Sequence, residues 1–126
     1  MRSQTKTVFV IDDNPDILLL TCQMVRALGL RAVAFSNADE CLADLGSGTA
    51  DCILTDLNMP GMSGLDLAKT IALHGPRVPI VIATASPIGS VELTGASKVA
   101  RAVLHKPYTL DDLSHALRLA TDVNRA

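Results

Sequence analysis

Five short apolar runs alternate along this chain with five stretches whose apolar residues recur at helical spacing. The runs are Thr7–Ile11 (TVFVI), Arg31–Phe35 (RAVAF), Cys52–Leu54 leading into Asp56, Val78–Ala83 (VPIVIA) and Ala102–Leu104. A run that is apolar almost throughout has no wet face, so it reads as a strand buried on both sides, the habit of parallel sheets. Strict alternation with helices then requires a parallel sheet covered on both faces, joined by right-handed crossovers. The predicted fold class is therefore α/β, doubly wound, with a (βα)5 pattern. At 126 residues the chain makes one domain and has no length for a second.

Parallel strands share one polarity, so their C-terminal ends meet at one edge, where open α/β sheets bind ligands. The sequence sends an unusual set of residues there. Asp12 and Asp13 follow the first strand, Asp56 ends the third, Thr84-Ala85-Ser86 follow the fourth, and His105-Lys106-Pro107 follow the fifth. Two adjacent carboxylates repel by about 3 kcal/mol at roughly 5 Å and an effective dielectric near 20. The plain explanation is a helix cap with a solvated neighbour. The chemical one is a hard-cation site, because Mg2+ takes one or two carboxylates plus water and phosphate oxygens. A carboxylate such as Asp56 at the end of a buried strand is costly unless something pairs with it. The stretch Ala50–Gly64 (ADCILTDLNMPGMSG) places Asp56 just before a loop with Asn58, Pro60, Gly61 and Gly64. Asp56 reads as a nucleophile for a phosphoryl group, and such a nucleophile needs a cation site, a charge partner and a readout.

The helical stretches carry their own punctuation. Asn14-Pro15-Asp16 opens the first, with Ile17, Leu20, Thr21, Met24 and Leu28 as the core stripe and Gly29 as the stop. Leu18, Leu19 and Cys22 fall off that stripe and form a second apolar face, suited to docking a partner helix. Ser36–Asp39 resembles a capping box that opens the second helix, with Ala38, Cys41, Leu42 and Leu45 inward and Gly46-Ser47-Gly48 closing it. Ser63–His74 makes the third, with Leu65, Ala68, Ile71 and Ala72 inward and Gly75-Pro76 as the stop. Pro87, Gly89 and Gly95 weaken the fourth, since an interior Gly costs about 1 kcal/mol against Ala. Thr109–Asp112 caps the last, whose stripe is Leu110, Leu113, Leu117 and Ala120.

Composition removes other function classes. Aromatic residues make up 2% of the chain (Phe9, Phe35 and Tyr108), which leaves no stacking platform for single-stranded nucleic acid. Net charge is −2 and no basic run occurs, so nucleic acid is not an expected partner of this domain. Cys22, Cys41 and Cys52 show no metal-ligand spacing and read as buried thiols in a reducing compartment. No apolar run reaches the roughly 20 residues that span a bilayer, and Met1–Thr7 has no signal-peptide pattern, so no membrane is expected and the location is cytoplasmic.

The whole set resembles the receiver domain of two-component response regulators. The resemblance rests on the acidic pair Asp12-Asp13, on D-x-x-M-P-x-x-x-G at Asp56–Gly64, on Thr84-Ala85 and on Lys106-Pro107, and it covers nearly all of the chain. It implies a flavodoxin-like, five-stranded parallel sheet of order 2-1-3-4-5 and a single receiver domain over 1–126 with no output domain. It implies that Asp56 takes a phosphoryl group from a phosphohistidine of a histidine kinase or histidine phosphotransfer protein. Asp13, Asp56 and the backbone carbonyl of Asn58 would hold Mg2+, with Asp12 acting through water, while Lys106 and Thr84 would meet the phosphoryl oxygens. The resemblance also implies a cis Lys106–Pro107 peptide and places Asn58 and Ser86 beside the route of an attacking water. Such a chain is a signalling phosphoacceptor, with at most self-phosphorylation from small donors and autodephosphorylation, rather than an enzyme. Kinase docking is expected at the start of the first helix, including Leu18 and Cys22, and around Pro107 and Tyr108.

At one position the chain departs from the family. Val103 stands where Tyr or Phe is usual, so a Thr84–aromatic switch by ring rotation is not available. A shift in order of Ser86–Val99 is the expected substitute. Two competing readings are weaker. A haloacid-dehalogenase-like phosphatase needs D-x-D after the first strand and length for a cap, whereas Asp12-Asp13-Asn14 stands here. A phosphorylation-independent interaction module would have no use for Asp12, Asp13, Asp56, Thr84 and Lys106 together. A nucleotide-binding P-loop is absent from the sequence.

Overall fold

Ten elements follow in strict alternation: β1 (Thr7–Ile11), α1 (Pro15–Ala27), β2 (Arg31–Phe35), α2 (Ala38–Leu45), β3 (Cys52–Asp56), α3 (Gly64–His74), β4 (Ile80–Thr84), α4 (Val91–Val99), β5 (Ala102–His105) and α5 (Leu110–Asp122). The computed structural model describes residues 5–46, 50–74, 77–87 and 90–122. All four strand pairings are parallel, and the sheet order is β2-β1-β3-β4-β5. Fold class and strand order are as expected. Ser47-Gly48 and Gly75-Pro76, read as helix stops, and Gly89 lie outside the described residues.

Side chains alternate between two cores because successive residues of a strand point to opposite faces. Phe9, Ile11, Ile53, Ile80 and Ile82 face α2, α3 and α4, and Val8, Val10, Leu54, Val81 and Ala83 face α1 and α5. Phe9 and Phe35 form a tilted ring pair at 4.9 Å in the first core. The fourth strand begins at Ile80 rather than Val78, because Pro79 has no N–H for the ladder. Its carbonyl still accepts from the Ile53 N–H at 3.0 Å.

The predicted face of α1 is corrected in part: Thr21, Met24 and Leu28 pack inward as expected, but Ile17 and Leu20 do not. Thr21, Cys22 and Val25 are buried and Leu18 packs on the core beneath α1 and α5, whereas Ile17 and Leu20 are exposed. The true seam is Leu18–Cys22–Val25 at i, i+4, i+7, and the unpartnered apolar residues are Ile17, Leu19 and Leu20. Apolar residues all round the first two turns gave periodicity two solutions, and contact with the sheet selected one. Smaller corrections have the same origin. Leu67 is fully buried where Ala72 was expected, and Ala116 where Leu110 was expected; Ala72 and Leu110 are exposed.

Capping is partly as predicted. Asn14 Oδ1 accepts from the N–H groups of Asp16 and Ile17, with Pro15 in the first turn. At α2 the box sits one residue later than predicted: Asn37 Oδ1 accepts from the Glu40 N–H, and Glu40 Oε1 accepts from the Ser36 N–H. Thr109 and Asp112 form a reciprocal box at α5, and Ser63 and Asp66 form one at α3. The pKa of Asp112 lies below the ordinary carboxylate value because it accepts hydrogen bonds from Thr109.

All three cysteines are buried and free. Burial raises the pKa of Cys22, and it pushes Cys41 and Cys52 up to about 12, helped by Asp44 and Asp51 respectively. The thiolate is the reactive form. A thiol reagent at mildly alkaline pH is expected to leave the folded chain unlabelled and to label three sites after denaturation. Fast native labelling of Cys41 or Cys52 would contradict this packing.

Candidate functional site

The ends of β1, β3 and β5 deliver three carboxylates and one ammonium to a single point. Oxygens from Asp12, Asp13 and Asp56 all lie within 4.8 Å of one another. Lys106 Nζ is 2.9 Å from Asp56 Oδ1 and 3.7 Å from Asp12 Oδ2. The sheet order explains the meeting: β1 and β4 flank β3, with Asp56 in register with Ala83 and Thr84 with His105, so each residue sits at or just past its strand end. The Lys106–Pro107 peptide is cis, as expected.

Each acidic residue has a distinct setting. Asp12 is buried and its Oδ1 accepts from the Asn14 N–H at 2.9 Å, which joins the site to the cap of α1. Asp13 is exposed and Asp56 is half-buried. The pKa of Asp56 lies above the usual aspartate value. Burial is the largest cause and the charges of Asp12 and Asp13 add to it, while Lys106 opposes both. Burial disfavours the Lys106 ammonium, but the hydrogen bond and charge of Asp56, then the charge of Asp12, outweigh it and raise its pKa. The same ion pair thus raises Lys106 while Asp56 stays above its usual value, because burial, with the charges of Asp12 and Asp13, outweighs what the lysine contributes. The charge deficit of three carboxylates against one ammonium, with oxygen ligands from two strand ends, fits a divalent hard cation such as Mg2+.

The loop after Asp56 is held tightly. The Leu57 N–H donates to the Ala83 carbonyl at 2.9 Å, and the Gly64 N–H donates to the Leu57 carbonyl at 2.9 Å. A Cβ on Gly64 would run into the Asp56 carbonyl oxygen and the Leu57 Cα, both backbone. Asn58, two residues past Asp56, is exposed in this loop. Thr84 is fully buried, and its Oγ1 accepts from the Ser86 N–H at 2.9 Å. Asp12, Asp13, Asp56 and Lys106 therefore converge, while Thr84 and Asn58 stand on the adjoining strand end and loop.

Three further hydroxyl-bearing residues, Thr21, Thr55 and Tyr108, line the crevice below Asp56 and Lys106 together with apolar strand residues. Thr55 Oγ1 donates to the Asp56 carbonyl at 3.0 Å, and Tyr108 Oη lies 3.5 Å from Thr21 Oγ1. Nothing in the spacing of Thr21 could have announced this, as it is far from the site in sequence. The position of Tyr108, two residues after Lys106, was the available signal.

A family model for the response regulator receiver domain matches residues 8–118. The chain belongs to the response regulator receiver family. The receiver is 32% identical to the response regulator protein TmoT of Ectopseudomonas mendocina over 95% of its length, and 35% identical to the DNA-binding transcriptional regulator NtrC of Salmonella typhimurium over 86%. It spans about half of TmoT (54%) and about a quarter of NtrC (23%). A receiver domain protein from Clostridium thermocellum superposes with a TM-score of 0.84 at 27% identity, covering 95% of this chain and 97% of the other. TrrA of Thermotoga maritima, solved in complex with Mg2+-BeF, superposes at 0.79 with 27% identity, covering 90% and 97%. Among the described residues no helix is long and apolar enough to cross a membrane.

Gly64→Ala is expected to cost about 2 kcal/mol or more, near the upper part of the range for single substitutions. The measurement is the denaturant midpoint. An unchanged midpoint would show that the loop yields without penalty.

Proposed function

We propose that Asp56 is the phosphoacceptor of a two-component phosphorelay, taking its phosphoryl group from a phosphohistidine of a histidine kinase or histidine phosphotransfer protein. The observation that carries this is Lys106 Nζ at 2.9 Å from Asp56 Oδ1 beside two further carboxylates. A carboxylate oxygen of Asp56 attacks phosphorus, the P–N bond breaks, and the electron pair stays with the departing imidazole, which takes up a proton. Asp56 is suited to this because it is half-buried and its lone pairs are presented beside a fixed ammonium. Lys106 turns toward the incoming phosphoryl oxygens and offsets the charge they bring. The Thr84 oxygen already accepts from Ser86, so its hydroxyl proton is what it has to offer those oxygens.

Asp12, Asp13, Asp56 and the Asn58 carbonyl are the groups that would hold Mg2+. When bound, it would offset negative charge in the carboxylate cluster and at the transferring phosphoryl group. The solved complex of TrrA with Mg2+-BeF on the same fold supports this reading. Phosphorylation would then switch the binding of a downstream protein, with no nucleic acid or membrane engaged through this domain and the cytoplasm as its location.

Acetyl phosphate with Mg2+ is expected to add one phosphoryl group by intact mass, and Asp56→Asn to abolish the gain. No gain in the unaltered chain would favour a phosphorylation-independent interaction module. The corrected face of α1 supports a kinase contact at Ile17 and Leu20 instead of Leu18 and Cys22, since Ile17 and Leu20 line an apolar groove of about 380 Å³ with Pro107 and Tyr108. Leu20→Asp is expected to slow transfer from a phosphohistidine donor tenfold or more, about 1.4 kcal/mol, while labelling by acetyl phosphate continues. Equal losses with both donors would refute that placement.

A further inference from the structure

Three cavities meet at one side chain. Tyr108 lines the crevice beneath Asp56 and Lys106, the groove beside Ile17 and Leu20 of α1, and a pocket of about 290 Å³ between β5 and α5. That last pocket is bounded by Val103, His105, Asp112, His115 and Leu119. Val103 packs on the opposite core with Phe9, Ile53 and Ala96, whereas Ala102 and Leu104 turn toward α5. The other two aromatic residues, Phe9 and Phe35, are locked together in the opposite core.

The anchor of Tyr108 is weak. Its hydroxyl is 3.5 Å from Thr21 Oγ1, the outer limit of a hydrogen bond. A half-buried phenol needs some partner for its polar tip, and the β5–α5 pocket offers the Asp112 carboxylate and the His115 imidazole. Only Pro107 separates Tyr108 from Lys106, whose ammonium is now held by Asp56 and Asp12.

We propose that Tyr108 is the positioning residue that couples Lys106 to the β5–α5 face, supplying the link that Val103 cannot. In the unmodified receiver it rests against Thr21. When Lys106 turns to an anion on Asp56, the Pro107–Tyr108 backbone follows, the Thr21 contact opens, and the ring moves toward His115 and Asp112. This rests on the phosphoacceptor reading of Asp56.

Tyr108 is the single tyrosine and the chain has no tryptophan, so tyrosine emission reports this residue alone. Beryllofluoride with Mg2+ serves as the probe, and its binding is read independently as a bound fluorine-19 resonance. Expected is a change in tyrosine emission that saturates with the bound resonance, together with a shift of the His115 imidazole proton resonance. Tyr108→Ala should lose the His115 shift while the bound fluorine signal remains, and Tyr108→Phe, which keeps the ring but not the hydroxyl that Asp112 and His115 would receive, should show a smaller shift than the unaltered chain. Bound beryllofluoride with unchanged emission, or a full His115 shift in Tyr108→Ala, would overturn the proposal and leave the phosphoacceptor reading intact. Absence of any bound resonance would overturn both.

Discussion

One ammonium among three carboxylates is the constraint on which this receiver depends. At an effective dielectric near 20, each carboxylate pair within 4.8 Å repels by at least about 3 kcal/mol, while Lys106 attracts Asp56 and Asp12 by roughly 4–6 kcal/mol each. Attraction and repulsion cancel to within a few kcal/mol, so nothing is left to offset the desolvation of Asp12 and Asp56. That is why Asp56 titrates above its ordinary value although a lysine touches it. A site with such a deficit is prepared for added positive charge and for a change of partner at Lys106.

The rest of the fold serves to hold that imbalance in place. Strands fix the spacing, since β1, β3 and β4 are neighbours and β5 closes the edge beside β4. The loop after Asp56 is pinned by the Leu57 and Gly64 hydrogen bonds, which leave no room for a Cβ at Gly64. From there the chain runs directly into α3, and Leu65 in its first turn packs against Gly95 of α4, where an added Cβ would lie 3.3 Å from Leu65 Cδ2. The glycine that weakens α4 as a helix thus lets α3 come close. Local propensity and tertiary packing conflict there, and packing prevailed.

Sequence reading succeeded where the signal is local. Strand runs, the Asn14 cap, the Thr109–Asp112 box and the convergence of Asp12, Asp13, Asp56 and Lys106 all followed from residue type, order and strand polarity. It failed at α1, where Ile17, Leu18, Leu19 and Leu20 are four consecutive apolar residues. Leu110 and Ala72 were misplaced for a related reason, because periodicity gives a stripe but not the angle at which a helix rests on the sheet.

The sequence by itself determined the element order, the parallel sheet and the residues gathered at its C-terminal edge, because alternation and strand polarity leave few other arrangements. Only the tertiary structure decided which face of α1 is exposed, how one lysine divides itself between two aspartates, and that Tyr108 joins the site to the β5–α5 pocket. Those outcomes depend on distances between segments far apart in the chain, and no local pattern encodes such distances.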